Sequence, residues 1–288
     1  MINPDAGGGL AAKVAGPVAD HLRAVSEVSV ATGDAAAMSA AAGAAVAEGA
    51  DVLAVLGGDG LAHLALQSCA GTSTALAVLP AGTGNDLARA LDVPQNPVAA
   101  ARAAAEAIDS GERREIDLGR ISGGGWFATV LCAGFDSMVS ARANRMRWPR
   151  GRRRYDLAIL RELLALRPMP LRVETESEVV ELDAAWVAVG NTAWYGSGIP
   201  ICPDADPSDG EFDLTVVGEV TRRDLLRILP TMRSGEHVDH PAVRTLRARS
   251  VRLGGENGWL GYADGEPQVR LPLSVRCEAS ALRVVAPR

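Results

Sequence analysis

Lysine is almost absent from this chain. Of its 288 residues only Lys13 is a lysine, and the other basic residues are arginine. In so alanine-rich a chain that bias reads as the mark of a GC-rich genome. The formal net charge of −6 excludes a polycation built to bind nucleic acid. Four cysteines (Cys69, Cys132, Cys202, Cys277) lie far apart and form no CxxC pair. They are expected to be reduced core residues, which points to a cytoplasmic protein. The four histidines (His21, His63, His237, His240) show no metal-ligand spacing. No stretch reaches the ~18 to 20 consecutive apolar residues of a membrane span, and no signal peptide is read ahead of Asn3. A soluble protein is expected, still free to touch a membrane surface. Neither GxxxxGK[ST] nor GxGxxG occurs, which excludes a Walker A loop and a dinucleotide fingerprint.

What is present is an ordinary globular composition, 48% hydrophobic and 22% charged, in a chain long enough for two domains. The first third alternates strands and helices. "MIN" is a strand stub, "EVSVAT", "DVLAVL" and "TALAVLP" read as strands, and helices are predicted over 10–25, 34–48, 61–70 and 97–109, with another starting at Asp86. Continuous apolar strands joined by helices predict a parallel sheet covered on both faces. Ligands sit beyond the carboxyl ends of such strands. Here those ends run into "NPDAGGG", "ATGDA", "GGDG" and "AGTGND". After Asp117 short strands dominate and only 153–166 and 221–233 look helical, which predicts a mostly antiparallel β domain. The boundary is placed near residue 118, giving an α/β nucleotide-binding domain over 1–118 and a β-rich domain over 119–278.

Two loops carry the chemistry. In "VLGGDGLAH", Gly57 and Gly58 admit a close approach of backbone to phosphate, and Asp59 can hold Mg²⁺ or orient a neighbour. In "LPAGTGNDLARAL", Thr83 can give its hydroxyl to a phosphate while Gly82 and Gly84 keep the backbone open. Asn85 or Asp86 can instead be a simple helix N-cap. Each loop alone is explained as a tight turn; two of them ending neighbouring buried strands favour a shared phosphate site at helix N-termini.

"NPDAGGG", "GGDG", "PAGTGNDLAR", "EIDLG", "AGFDSMV", "GNTAWYGSGIPICPDADPSDGEFDL" and "DGEP", in that order, resemble the bacterial diacylglycerol kinase family, part of the superfamily of diacylglycerol, sphingosine and ceramide kinases. The likeness runs from Asn3 to the C-terminus. It implies a phosphofructokinase- or NAD-kinase-like α/β domain, with residues 279–288 returning to it. It also implies ATP in the interdomain cleft and transfer of the γ-phosphoryl group to a lipid hydroxyl. By position, Glu266 matches the family's general base; without the resemblance it is an exposed turn residue. Asp59, Asp86 and Asp117 match acidic positions used for metal and charge networks. The matching nucleotide positions are Asn3, Pro4, Asp5, Ala6 and Gly7, then Thr32, then Gly57, Gly58, Asp59, Gly60, Leu61, Ala62 and His63, and finally Gly82 and Thr83. Mg²⁺ would accompany the nucleotide. A second, structural Mg²⁺ is implied at Asp209, with carbonyls of Asp206 and Glu211; the alternative is an acidic surface loop.

The chain departs from the family in two places. Leu61 stands where a threonine is usual, and Ala6 where serine is frequent; each lost hydroxyl weakens nucleotide binding by ~0.5–1.5 kcal/mol. Seven arginines without an acid (Arg142, Arg145, Arg147, Arg150, Arg152, Arg153, Arg154) reverse the local charge. They suit an anionic membrane surface, with Trp148 at the interface, better than a solvated loop or a nucleic acid. The expectation is therefore an ATP- and Mg²⁺-dependent kinase converting diacylglycerol to phosphatidate at the inner membrane face. Another lipid alcohol or a nucleotide-binding module without turnover are the alternatives, and the resemblance is compatible with a homodimer.

Overall fold

Two runs of apolar residues form the centre of the first domain. β1 (Val52–Gly57) and β2 (Ala75–Pro80) lie parallel in continuous register, Val52 opposite Ala75 through Gly57 opposite Pro80. Every residue of β2 is buried, which is why neither strand alternates polar with apolar. Helices pack against them in two pairs, α1 (Ala6–Arg23) with α5 (Pro97–Asp109) and α2 (Ala35–Ala47) with α3 (Asp59–Cys69). The starts are locally encoded. Asp34 caps α2 by accepting the Ala37 amide, and Asn96 caps α5 ahead of Pro97. A short α4 (Asp86–Ala90) follows β2. The computed structural model describes residues 1–134, 168–255 and 258–287, with single positions 142, 146 and 157.

"EVSVAT" does not form the expected strand. It is mostly exposed, and only Thr32 bridges, to Ile2, which itself bridges Leu56. Its inner neighbour is the two-residue stub Met1–Ile2, too short to carry a ladder, so the segment stays irregular.

β3 (Arg114–Ile121) carries the chain through residue 118 into the second domain. There β4 (Trp126–Phe127), β5 (Val130–Gly134), β6 (Met169–Glu174), β7 (Val179–Ala184), β8 (Trp186–Gly190), β11 (Phe212–Val217), β12 (Val243–Ala248), β13 (Ser250–Gly254), β14 (Leu260–Ala263) and β15 (Glu266–Arg270) follow, with a small hairpin of β9 (Trp194–Tyr195) and β10 (Ile199–Pro200). One antiparallel sheet runs β12–β11–β8–β5–β14–β15. The final strand β16 (Leu273–Val284) joins both domains. Its first half pairs antiparallel with β13, much of its length pairs with β3, and Val284 lies parallel to Leu76 of β2. Leu282, Val284 and Val285 pack into the α/β core.

The sheet of β1 and β2 continues through β16 and β13 to β6 and β7, and this end and the β12–β15 sheet enclose a separate core in which Phe127 stacks on Phe212, centroids 5.6 Å apart. Helix α6 (Arg222–Thr231), started by a Thr221–Asp224 capping box, covers a third cluster around Trp186, Leu225 and Ile228. All four cysteines are free and buried. The helix expected over 153–166 lies, but for Leu157, outside the described residues, as do Arg145, Arg147, Arg150, Arg152, Arg153 and Arg154 of the arginine segment.

Candidate active site

The loops at the strand ends meet because their glycines allow it. A Cβ on Gly82 would stand 2.5 Å from the Cα of Gly58, and one on Gly84 2.5 Å from Asp59 Oδ2. The GGDG and AGTGND turns therefore touch backbone to backbone, a contact that no side chain at these positions would permit. The N-terminal loop closes on the same place. Asn3 donates its amide to Leu56 (3.0 Å), and a Cβ on Gly7 would meet the Ala81 carbonyl at 2.4 Å. Asn3, Pro4, Asp5, Gly7 and Thr83 are exposed along this edge, and Thr32 lies beside Ile2.

Asp59 is not a free acceptor. Its Oδ2 receives the Asn85 amide and its Oδ1 the Asp86 amide, both at 2.7 Å. One residue of α3 thus caps α4 from outside the helix. Asn85 sits at the N-cap position with a left-handed backbone (φ 55°), but its side chain closes on Gly82 in place of capping α4. Asp86 in turn accepts the amides of Ser197 (3.0 Å) and Gly198 (2.7 Å) from the β9–β10 turn of the other domain. Burial, then the neighbouring Asp86 charge, raises the Asp59 pKa to about 6, against the two amides that stabilise its anion. Burial likewise raises Asp86, opposed by its two amides and Arg89.

Glu266, the first residue of β15, is exposed, and its Oε1 lies 3.5 Å from where a Cβ on Gly60 would stand. The acid at the C-terminal end of the chain therefore stands over the start of α3, one residue from Asp59. Leu61 and Ala62 face the other way. Both side chains are buried in the α/β core, and both amides donate to the Gly58 carbonyl. Neither offers a donor to the cleft, so Leu61 replaces a hydroxyl by core packing. Ala6 is buried as well.

Asp117 works at the domain junction. It is 3% exposed, accepts the Gly210 amide (2.7 Å) and the Ser280 amide (2.8 Å), and donates its own amide to Pro207. Ser280 lies in the irregularity where β16 shifts register against β3, so this carboxylate holds the acidic turn and the shared strand together. In that turn Asp209 pairs with Arg247, which also reaches Glu211 (3.4 Å) and Asp213 (3.5 Å); Asp206 accepts the Ser208 amide (2.9 Å). Among the described residues no group of three or more His, Cys, Asp or Glu side chains is arranged to hold a metal ion.

Residues that local pattern passed over complete the site. Asp264 is buried at the turn before Glu266 and accepts from the amides of Ala128 (3.0 Å) and Thr129 (2.8 Å), from the Thr129 hydroxyl (2.6 Å) and from His63 (2.9 Å). Burial would raise its pKa, but the His63 and Thr129 bonds hold it below the usual carboxylate range. Arg89 lies under Trp194, 5.7 Å from the ring centre. The Asp-Gly pair at 264–265 was a readable hairpin signal, with both residues at positive φ (50° and 83°); the partners it would find were not readable.

The family description "Diacylglycerol kinase catalytic domain" matches residues 1–121, and "YegS C-terminal NAD kinase beta sandwich-like domain" matches residues 129–286. The chain is 43% identical over 296 aligned residues to a diacylglycerol kinase of Mycobacterium tuberculosis (strain CDC 1551 / Oshkosh), an alignment covering 100% of this chain and 94% of the relative. It belongs to the diacylglycerol kinase family. That is a family of lipid kinases, and the same membership extends to a diacylglycerol kinase of Bacillus subtilis (strain 168), 26% identical over 77% of this chain and 73% of the relative. A solved structure of a diacylglycerol kinase from Bacillus anthracis str. Sterne shares the fold, with a TM-score of 0.76 at 20% identity over 99% of this chain and 95% of that one. A second structure from that organism superposes with a TM-score of 0.81 at 22% identity, again over 99% and 95% of the two chains.

Proposed function

We propose that this protein transfers the γ-phosphoryl group of ATP to a lipid hydroxyl, with diacylglycerol as acceptor and phosphatidate as product. The observation that carries the reading is the place of Glu266: an exposed carboxylate over Gly60, beside the junction of the three glycine-rich loops. Glu266 takes the proton of the lipid hydroxyl as its oxygen bonds to the γ-phosphorus. The bond from that phosphorus to the bridging oxygen breaks and ADP leaves. Such transfer depends on positioning and charge neutralisation more than on covalent chemistry.

The Asp59 and Asp86 carboxylates fit a Mg²⁺ ion. They are hard oxygen donors, buried and mutually repelling, and each oxygen keeps a lone pair beyond the amide it accepts. When bound, the ion supplies positive charge against the phosphate oxygens. A second, structural cation at Asp209 with the Asp206 and Glu211 carbonyls belongs to the same proposal: Asp206, Asp209, Glu211 and Asp213 outnumber Arg247 and Arg249, which pair with them, so the turn stays anionic. No described helix is long and apolar enough to cross a membrane. The arginine run from Arg142 to Arg154 supports docking at an anionic, cytoplasmic membrane face, where each basic residue adds ~1 kcal/mol.

The test is transfer of ³²P from [γ-³²P]ATP to a panel of lipid alcohols in mixed micelles, wild type beside Glu266→Gln. Labelled phosphatidate is expected from wild type, with a loss of about 10²- to 10⁴-fold in the variant and ATP still bound. Label in another lipid changes the acceptor and keeps the mechanism. ATP binding without label in any lipid refutes the kinase reading.

A further inference from the structure

Helix α3 turns one stripe, Gly60, His63 and Gln67, toward the second domain, at steps of three and four residues. Each position meets a different partner. Gly60 lies under Glu266. His63 Nδ1 is 2.9 Å from Asp264 Oδ2. Gln67 is fixed by both ends of its amide, Oε1 accepting the Trp126 amide and Nε2 donating to the Trp126 carbonyl, each at 2.9 Å. That orientation turns the Gln67 NH₂ toward His63 Nε2 (3.4 Å). The two hydrogens of that NH₂ already go to the Trp126 and His63 carbonyls, so the tautomer is set on the other side of the ring: the Asp264 carboxylate only accepts, and in the neutral ring Nδ1 carries the proton it receives.

Asp264 and Gly265 make the two-residue turn between β14 and β15, where Ala263 pairs with Glu266. Whatever holds Asp264 holds the strand pair that presents Glu266. Asp264 is not itself the base: its side chain is 6% exposed and its two oxygens already serve four donors. We propose that His63 is a positioning residue that, through Asp264, locks the β14–β15 turn onto α3 and so sets the Glu266 carboxylate over Gly60. This rests on reading Glu266 as the base, and it gives His63 a task other than the nucleotide contact that its place after GGDG suggests.

The test compares wild type with His63→Ala, His63→Asn and Glu266→Gln in the micelle assay. The ring tautomer of wild-type His63 is read from imidazole ¹⁵N shifts at a pH alkaline enough to leave the ring neutral, assigned by the signal missing from the variants. Asn keeps a donor near the place of Nδ1 and lacks the rest of the ring. His63→Ala is expected to lower kcat about 10- to 100-fold, the scale of a misplaced reacting group, with KM for ATP unchanged. His63→Asn is expected to recover most of that loss, and the wild-type ring to carry its proton on Nδ1. A rise in KM for ATP at full kcat overturns the proposal in favour of a nucleotide contact. An Nε2–H tautomer overturns it, as does equal impairment of the Ala and Asn variants. If His63→Ala does not fold, the Asn variant and the tautomer still decide. His63→Ala as active as wild type beside an inactive Glu266→Gln removes the positioning role alone. A Glu266→Gln as active as wild type removes the base assignment, and the positioning role with it.

Discussion

Replacing Asp59 by asparagine tests the electrostatics of the cleft. The Asp59 pKa stands at about 6 against an ordinary 3.8, because burial and the Asp86 charge together outweigh the two α4 amides. A rise of about two units, at ~1.4 kcal/mol per unit, costs the folded protein about 3 kcal/mol once the group is ionised in both states. The direction is opposite to that of most carboxylates. Below the unfolded pKa Asp59 is protonated in both states and the penalty is absent. Stability is then lost as pH rises through about 6, where the folded carboxyl gives up its proton, and above that the penalty is constant. The asparagine side chain resembles the protonated acid and cannot ionise. The stability of wild type minus that of Asp59→Asn should therefore fall by about 3 kcal/mol between about pH 4 and pH 7. Urea denaturation of both proteins in EDTA across that range, followed by tryptophan fluorescence, measures it. A difference that is flat with pH, or that grows in favour of wild type as pH rises, would refute the reasoning.

Other substitutions separate packing from charge. Gly82→Ala places a methyl 2.5 Å from Gly58 Cα and should destabilise the protein by ~1–3 kcal/mol. Gly43→Ala, in open space on α2, should stabilise it by ~0.5–1 kcal/mol; equal effects in paired urea titrations would contradict the loop-to-loop contact. Asp117→Ala removes the acceptor of the Gly210 and Ser280 amides, which water can partly reach, and should cost about 1–3 kcal/mol, at ~0.5–1.5 kcal/mol per hydrogen bond. A urea-derived loss under ~1 kcal/mol would show that water replaces the carboxylate. Changing Arg150, Arg152, Arg153 and Arg154 to glutamine should weaken co-sedimentation with phosphatidylserine vesicles by at least about tenfold, given ~1 kcal/mol per basic residue. Unchanged binding would remove the arginine run as a docking surface.

Much of this fold was legible in the chain because it is written in short-range rules. The apolar runs of β1 and β2 announced a sheet buried on both faces, and Asp34 and Asn96 marked helix starts within three residues of the amides they cap. The antiparallel second domain showed in its short strands and turn residues. "EVSVAT" misled because β-propensity says nothing of whether a neighbouring strand is long enough to pair with it. The site was legible as loops and acids, not as a constellation. The glycine-rich turns after β1 and β2 marked loops that meet in the fold, and the order of motifs marked the family.

Which groups meet was decided by the tertiary structure. His63 and Asp264 are 201 residues apart in the chain, and their contact follows from how the β14–β15 turn lies against α3. Asp59 reads as an acceptor in sequence; that each of its oxygens also takes an α4 amide follows only from Gly58 and Gly82 letting two loops touch. The acids at 206–213 are neighbours in sequence, and only the pairing of β12 with β11 puts Arg247 among them. Leu61 directly follows the GGDG turn in sequence but points into the core. Helical and strand periodicity and capping act over a few residues, so the sequence alone carries them. Hydrogen bonds and charge pairs between distant segments depend on strand register and domain docking, which only the folded chain sets.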